Sequence, residues 1–348
     1  MEKSAVGPVI DVHAHFLPSG AIRASKTGEL WQGLRIEVAA NSAAGVTRVS
    51  ARPTTEAERT FRRIPEYFQS PEQRLAAMKA SGVDVQVLSL TPALFRYDLD
   101  VADAVAFVQD VNDDLYDLST RWPGSFRGLG SLPAQDTDAS VAELERCVNK
   151  LGLDGVMVDT HVNGEDWDSP RLFPILQAAE ALDAVVFFHP GMQRVAKLWP
   201  RYHLRNLIGN PLETTVAIAS LIFGGVLDRL PNARMFFAHG GGFALANAGR
   251  FDHGHKVRLE TRGAAQHFPS EYLRRLYYDP ITLSETGLRT ILDVAGPSQV
   301  VLGTDFPADM AQASPCDWIM SLTSLSDEEK QGILRNNVTH LLARRHGS

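Results

Sequence analysis

The sequence predicts an α/β fold, a (β/α)8 TIM barrel with a long insertion after strand one. Three observations carry this: eight short apolar runs, amphipathic helical stretches between most of them, and metal-capable residues where several runs end. The runs are Val9–Val12, Val83–Leu90, Phe126–Leu132, Gly155–Val158, Ala184–Phe188, Arg234–Ala238, Leu276–Tyr278 and Gln299–Leu302. Several are almost continuously apolar, as strands of a parallel sheet must be when helices cover both faces. Eight such strands alternating with helices fit a closed barrel better than an open sheet. Barrels of this kind reach the length of this chain as one unit, so residues 1–348 read as a single domain.

Strand one is followed by residues 19–69, which are polar, rich in Gly, Ser and Arg, and weakly periodic. They read as an inserted loop or lid, because a loop this long in a compact domain is usually functional or disordered. Ser70-Pro71-Glu72-Gln73 then opens a helix with an N-cap, a proline at the first helical position and a capping-box glutamine, and Gly82 stops it. Val101, Val105, Val108, Val111, Leu115 and Leu118 form an apolar stripe at three- and four-residue steps. Ser326-Asp327-Glu328-Glu329 opens the last helix with a second capping box.

Bulk properties narrow the function. The chain has 34 basic and 41 acidic residues, a net charge of −7, which argues against a nucleic-acid polyanion as partner. Cys147 and Cys316 lack metal-type spacing, so a Cys-rich zinc site is excluded and a reducing compartment is expected. The first eight residues have no long apolar core, and no run approaches the ~20 residues that span a bilayer. A cytoplasmic protein without a membrane segment is the expectation.

The strand ends carry the chemistry. Strand one runs into Asp11-Val12-His13-Ala14-His15, and alternation along a strand puts both imidazoles on one face. Strand five ends at His189-Pro190, strand six at His239-Gly240-Gly241-Gly242, and strand eight at Gly303-Thr304-Asp305. A lone His-x-His pair, strand-end histidine or N-capping aspartate is a common structural accident. Four at one barrel rim point instead to a divalent cation held by His13, His15, His189 and Asp305. Three imidazoles and a carboxylate suit zinc, or manganese or iron in a more open site. A water in the remaining position would become acidic enough to supply hydroxide near neutral pH. His239, whose natural pKa lies near working pH, is read as its general base or acid, with a fifth-ligand or loop-orienting role as the alternative.

The segments DVHAHFLP, GVDVQVLSLTP, GLGSLPAQ, NPLETTVAIASLIFGGV, FAHGGG and LGTDFP, in this order and spacing, resemble the amidohydrolase superfamily. Within it they resemble the branch containing aminocarboxymuconate semialdehyde decarboxylase. The resemblance runs from about residue 9 to about residue 310. It implies one metal ion on the four residues named above, with Asp305 in the catalytic centre and His239 as the acid/base. Asp159-Thr160-His161 ends strand four without the lysine that bridges two metals in binuclear relatives. His161 reads as a rim residue on the substrate side. Arg62, or its neighbour Arg63, and Arg250 match positions that bind substrate carboxylate, the second across a dimer interface, which implies a homodimer. The implied activity is non-oxidative decarboxylation of a small unsaturated or aromatic carboxylic acid, using a metal-bound water activated by His239. Hydrolysis or hydration of a small carboxylated substrate is the alternative. The sequence departs from the branch at Gly191-Met192, where a Trp-Asp pair is expected, at Ala308 in place of an aromatic, and in a longer stretch from 31 to 61.

Overall fold

Buried apolar runs can satisfy their backbone groups only by pairing, and here they pair in parallel. The structure, a computed structural model, describes residues 7–38, 49–50, 59–63, 65–191, 193–194, 199 and 201–342, with backbone alone at 49–50 and 59–63. Strand β1 (Ile10–Phe16) is followed by four short strands, β2 (Leu30–Trp31), β3 (Leu34–Val38), β4 (Val49–Ser50) and β5 (Arg59–Arg63). The main run then resumes through β6 (Val85–Leu90), β7 (Phe126–Gly130), β8 (Gly155–Val158), β9 (Val185–Phe188), β10 (Arg234–Phe237) and β11 (Tyr277–Tyr278). The seven long-range partners form one parallel sheet in the order β1-β6-β7-β8-β9-β10-β11.

Alternation sorts the side chains of this sheet. Phe187 stacks on Phe236 and meets the His13 ring edge-on at 4.9 Å, so it faces the same side as the ligands. Phe188 stacks on Phe237 and meets Trp167 on the opposite side. All four phenylalanines are fully buried, each stabilising the fold by about 1.5–3 kcal/mol relative to exposure.

Two expectations need correction. The eighth run, Gln299–Leu302, is not a strand; among the described residues only Val300 makes a bridge, to Tyr278. The segment still touches both edges of the sheet, with Val301 N–H donating to Tyr278 O and Val12 N–H to Leu302 O. It is irregular because Leu302 N–H donates to Ile333 O at 2.9 Å instead of to a ladder partner. Residues 19–69 are not simply a loop either. They contain a helix, Ser19–Thr27, ended by left-handed Gly28, and a four-stranded sheet of order β2-β3-β5-β4. The signal was a two-residue period too short to stand out: Leu34 and Ile36 are buried and alternate with half-buried neighbours. Trp31 anchors this unit, packing on Phe107 and donating from Nε1 to Asp110.

The helix Val101–Arg121 forms as its periodicity predicts, with Val108, Val111 and Leu115 of the stripe buried and Val105 and Leu118 half-buried. Ala104, Phe107, Val108, Val111, Asn112 and Leu115 are buried, whereas Val101 is 41% exposed. Asn112 draws the face inward by exchanging hydrogen bonds with the Ser131 backbone. Both cysteines are free thiols, and no helix among the described residues is long and apolar enough to cross a membrane.

Both capping boxes are present, at Ser70 with Gln73 and at Ser326 with Glu329. Replacing Ser70 by Ala leaves the Gln73 N–H without its acceptor. It is expected to lower unfolding free energy by about 1 kcal/mol in a denaturant titration; an unchanged midpoint would show that the cap does not stabilise the fold.

Candidate metal centre

The sequence places five chemically capable side chains at the strand ends, and the fold brings them together. His13 and His15 leave the same face of β1, with Nε2 atoms 3.2 Å apart. His189 follows β9, and its ring lies 4.9 Å from that of His13 and 4.8 Å from that of His15. Asp305 reaches in from the irregular segment after Leu302, with a left-handed backbone (φ 63°) stabilised by donation of its N–H to His13 O. Its Oδ1 stands 3.3 Å from His13 Nε2, 3.1 Å from His15 Nε2 and 4.0 Å from His189 Nε2. All four residues are buried, and their ligand atoms lie within 4.8 Å of one another.

Hydrogen bonds on the far nitrogens decide what this cluster can hold. His13 Nδ1 faces the Asp279 carboxylate at 2.7 Å and must carry the proton there. His189 Nδ1 faces the Pro190 carbonyl at 3.1 Å and must do the same. Ser89 Oγ donates to Ala14 O, so His15 Nδ1 donates to Ser89 Oγ at 3.1 Å. Each neutral ring therefore turns an Nε2 lone pair toward the same point, the arrangement found around a cation. His189 Nε2 is buried without any hydrogen-bond partner. A divalent cation fits this donor set, since three lone pairs and a carboxylate otherwise repel one another in a medium of low polarity.

The electrostatics agree for His15, His189 and Asp305. Burial opposes a charge on His13, but hydrogen bonds to Asp279 and Asp305 outweigh it and carry the ring up to about 10, so without a cation His13 holds a proton that a cation must displace from Nε2. Burial, followed by the neighbouring imidazoles, holds His189 well below its ordinary value. Burial also holds His15 down, to about 4, against its hydrogen bond with Asp305. Asp305 is desolvated too, yet His13 and His15 keep its carboxyl well below the usual range. An anionic ligand beside two neutral imidazoles is the state a cation requires.

The other sequence-predicted residues are placed as follows. His239, part-buried on the turn after β10, has Nε2 3.7 Å from Asp305 Oδ2 and a ring 4.9 Å from that of His189. His161, after β8, is buried outside the four-ligand cluster; its Nδ1 accepts from Gly164 N–H, and its Nε2 lies 4.0 Å from Glu213. Arg250 is exposed on the helix Ala248–Val257. Arg62 and Arg63 lie in β5, where the backbone alone is described, and Arg62 pairs with Glu37. Met192 lies outside the described residues. The glycine before it has a packing reason: a Cβ at 191 would come within 2.4 Å of the Phe95 ring and 2.6 Å of Pro92 O.

Two contributors were missed. Asp279 ends β11 as the ligands end their strands, but the seventh strand has only two residues and the same signal went unread there. Ser89 lies inside an apolar run, where a lone serine carries no signal. Ser89→Ala removes the partner of His15 Nδ1 and is expected to weaken cation binding about 10–100-fold in a chelator competition. Unchanged affinity would show that Ser89 does not orient the His15 ring.

The amidohydrolase family model matches residues 10–344. A 2-amino-3-carboxymuconate-6-semialdehyde decarboxylase of Dictyostelium discoideum is 38% identical over 283 residues, 81% of this chain and 79% of the relative. A gamma-resorcylate decarboxylase of Rhizobium sp. is 27% identical over 288 residues, 78% of this chain and 86% of the relative. The solved structure of a dihydroxybenzoic acid decarboxylase from Polaromonas sp., with bound manganese and the inhibitor 2-nitroresorcinol, has a TM-score of 0.78 at 20% identity and covers 97% of each chain. At that identity the likeness is one of fold. On the extent of the family match and the 38% identical relative, the chain belongs to the amidohydrolase family.

Proposed function

We propose that the protein is a cation-dependent, non-oxidative decarboxylase of a small unsaturated or aromatic carboxylic acid. The observation that carries this reading is the position of His239. A fourth imidazole stands at the edge of the three-imidazole centre, with Nε2 3.7 Å from Asp305 Oδ2. Its Nδ1 is buried without a hydrogen-bond partner. A proton-transfer group needs this placement: near the reacting position, and not committed elsewhere. The decarboxylases among its relatives support the reaction class.

A divalent cation on His13, His15, His189 and Asp305 supplies Lewis acidity and raises the acidity of a water in its remaining position. Zinc is the cation proposed, and manganese and iron suit the same donors. His239 takes a proton at Nε2 and returns one to the substrate carbon. The bond to the carboxylate carbon breaks, carbon dioxide leaves, and the electron pair left on carbon takes that proton. Arg62 and Arg250 hold substrate carboxylates through the planar guanidinium fork. The exposed position of Arg250 suits donation to the site of a second subunit in a homodimer. His161 borders the substrate side. In this reading the run Gln299–Leu302, though not a regular strand, closes the parallel sheet between β11 and β1 into a barrel, the chain is one domain acting in the cytoplasm, and residues 19–69 are an insertion that covers the site.

Metal-replete protein is expected to release carbon dioxide from at least one member of a panel of carboxylated aromatics and muconates. His239→Ala should lower kcat by about 10²–10⁴ with its cation content unchanged. No carbon dioxide from any member, with oxygen from labelled water appearing in a product, would replace decarboxylation by hydration or hydrolysis.

A further inference from the structure

We infer that Asp279 is a positioning residue that ties the orientation of the ligand His13 to that of the proton-transfer residue His239. The inference rests on the roles proposed above for the metal centre and His239. Asp279 is fully buried at the end of β11 and receives four hydrogen bonds. Its Oδ2 accepts from His13 Nδ1 at 2.7 Å and from the His239 backbone N–H at 2.8 Å. Its Oδ1 accepts from the backbone N–H groups of Gly240 at 2.8 Å and Ile281 at 3.0 Å. Every partner is a donor. An ionised carboxylate satisfies all four, whereas an amide turned either way presents its NH2 to two donors.

The turn that carries His239 depends on this anion. His239, Gly240, Gly241 and Gly242 all have positive φ, at 56°, 61°, 71° and 63°. A left-handed backbone is strained for a non-glycine residue, so His239 adopts it only where surroundings hold it. Successive N–H groups in such a turn converge on an anion, and here the anion is the carboxylate of Asp279. The same Oδ2 thus fixes the tautomer of His13, which turns Nε2 into the centre, and anchors the backbone from which the His239 ring projects. Gly303 permits the approach: a Cβ there would lie 2.7 Å from His13 Cβ and 2.8 Å from Asp279 Cβ. A shift of either histidine is therefore transmitted to the other through one side chain.

The test compares Asp279→Asn with Ser89→Ala, which releases His15 but bonds to no part of the 239–242 turn. Two quantities are read on the full chain: zinc affinity by chelator competition, and amide hydrogen exchange of the peptide spanning 238–242 at saturating zinc. Asp279→Asn is expected to weaken zinc about 10–100-fold. It should also speed exchange at His239 and Gly240 about tenfold, the effect of one lost hydrogen bond. Ser89→Ala should weaken zinc and leave that exchange unchanged. If Asp279→Asn alters only one quantity, or Ser89→Ala alters both, the coupling through Asp279 is overturned. Should Asp279→Asn fail to fold by circular dichroism, Gly303→Ala keeps the carboxylate, wedges it from His13, and is expected to give the same joint loss; loss of one quantity alone overturns the inference. Neither measurement uses a substrate, so a failed substrate screen leaves this result standing. Wild-type protein that binds no zinc overturns both readings.

Discussion

Three Nε2 lone pairs and one carboxylate oxygen are held facing one another in a buried space, and much of the surrounding structure serves to hold them there. Such a convergence is unfavourable by itself, because desolvated lone pairs gain nothing from one another. It persists because each imidazole has its other nitrogen committed, to Asp279, Ser89 or the Pro190 carbonyl. Those commitments fix ring orientation and tautomer together, and they come from three separate elements of the chain. A cation turns the repulsion into four favourable bonds, so binding and the local fold support each other.

The rim is fastened from beneath by a second polar layer. Asp11, fully buried on β1, accepts from Thr304 N–H and Thr304 Oγ, and from Gln86 Nε2. Burial pushes its carboxyl up to about 6 against those hydrogen bonds. Arg74 adds a tie from the helix Pro71–Ser81, donating to Gln86 and to His15 O. These contacts link the start of the parallel sheet to the segment that delivers Asp305. The irregularity of that segment follows from its task, since a regular strand has no left-handed residue with which to turn Asp305 inward.

How far the sequence could be read depended on the length of each signal. His13, His15, His189, His239 and Asp305 were legible because they close four runs of apolar residues, and a parallel sheet brings such endings to one rim. The helix beginning at Pro71 was legible through its capping box. The apolar stripe of the helix Val101–Arg121 was legible, but the burial of Phe107 and Asn112 beside it was not, because tertiary partners decide it. The small sheet after β1 was obscured because its strands have two to five residues, too few for periodicity to rise above a polar background. Asp279 went unread for the same reason, at the end of a two-residue strand. The collision between Phe95 and any side chain at position 191 is a contact across distant parts of the chain, which no local pattern encodes.

The central claim, that His13, His15, His189 and Asp305 share one cation, is tested most directly by X-ray absorption at the metal edge of the zinc-loaded protein. Three imidazole nitrogens, one carboxylate oxygen and one water oxygen are expected near 2.0–2.2 Å, with one imidazole lost in His189→Ala. A sulfur ligand, fewer than two imidazoles in the wild type, or a spectrum unchanged by His189→Ala would contradict it.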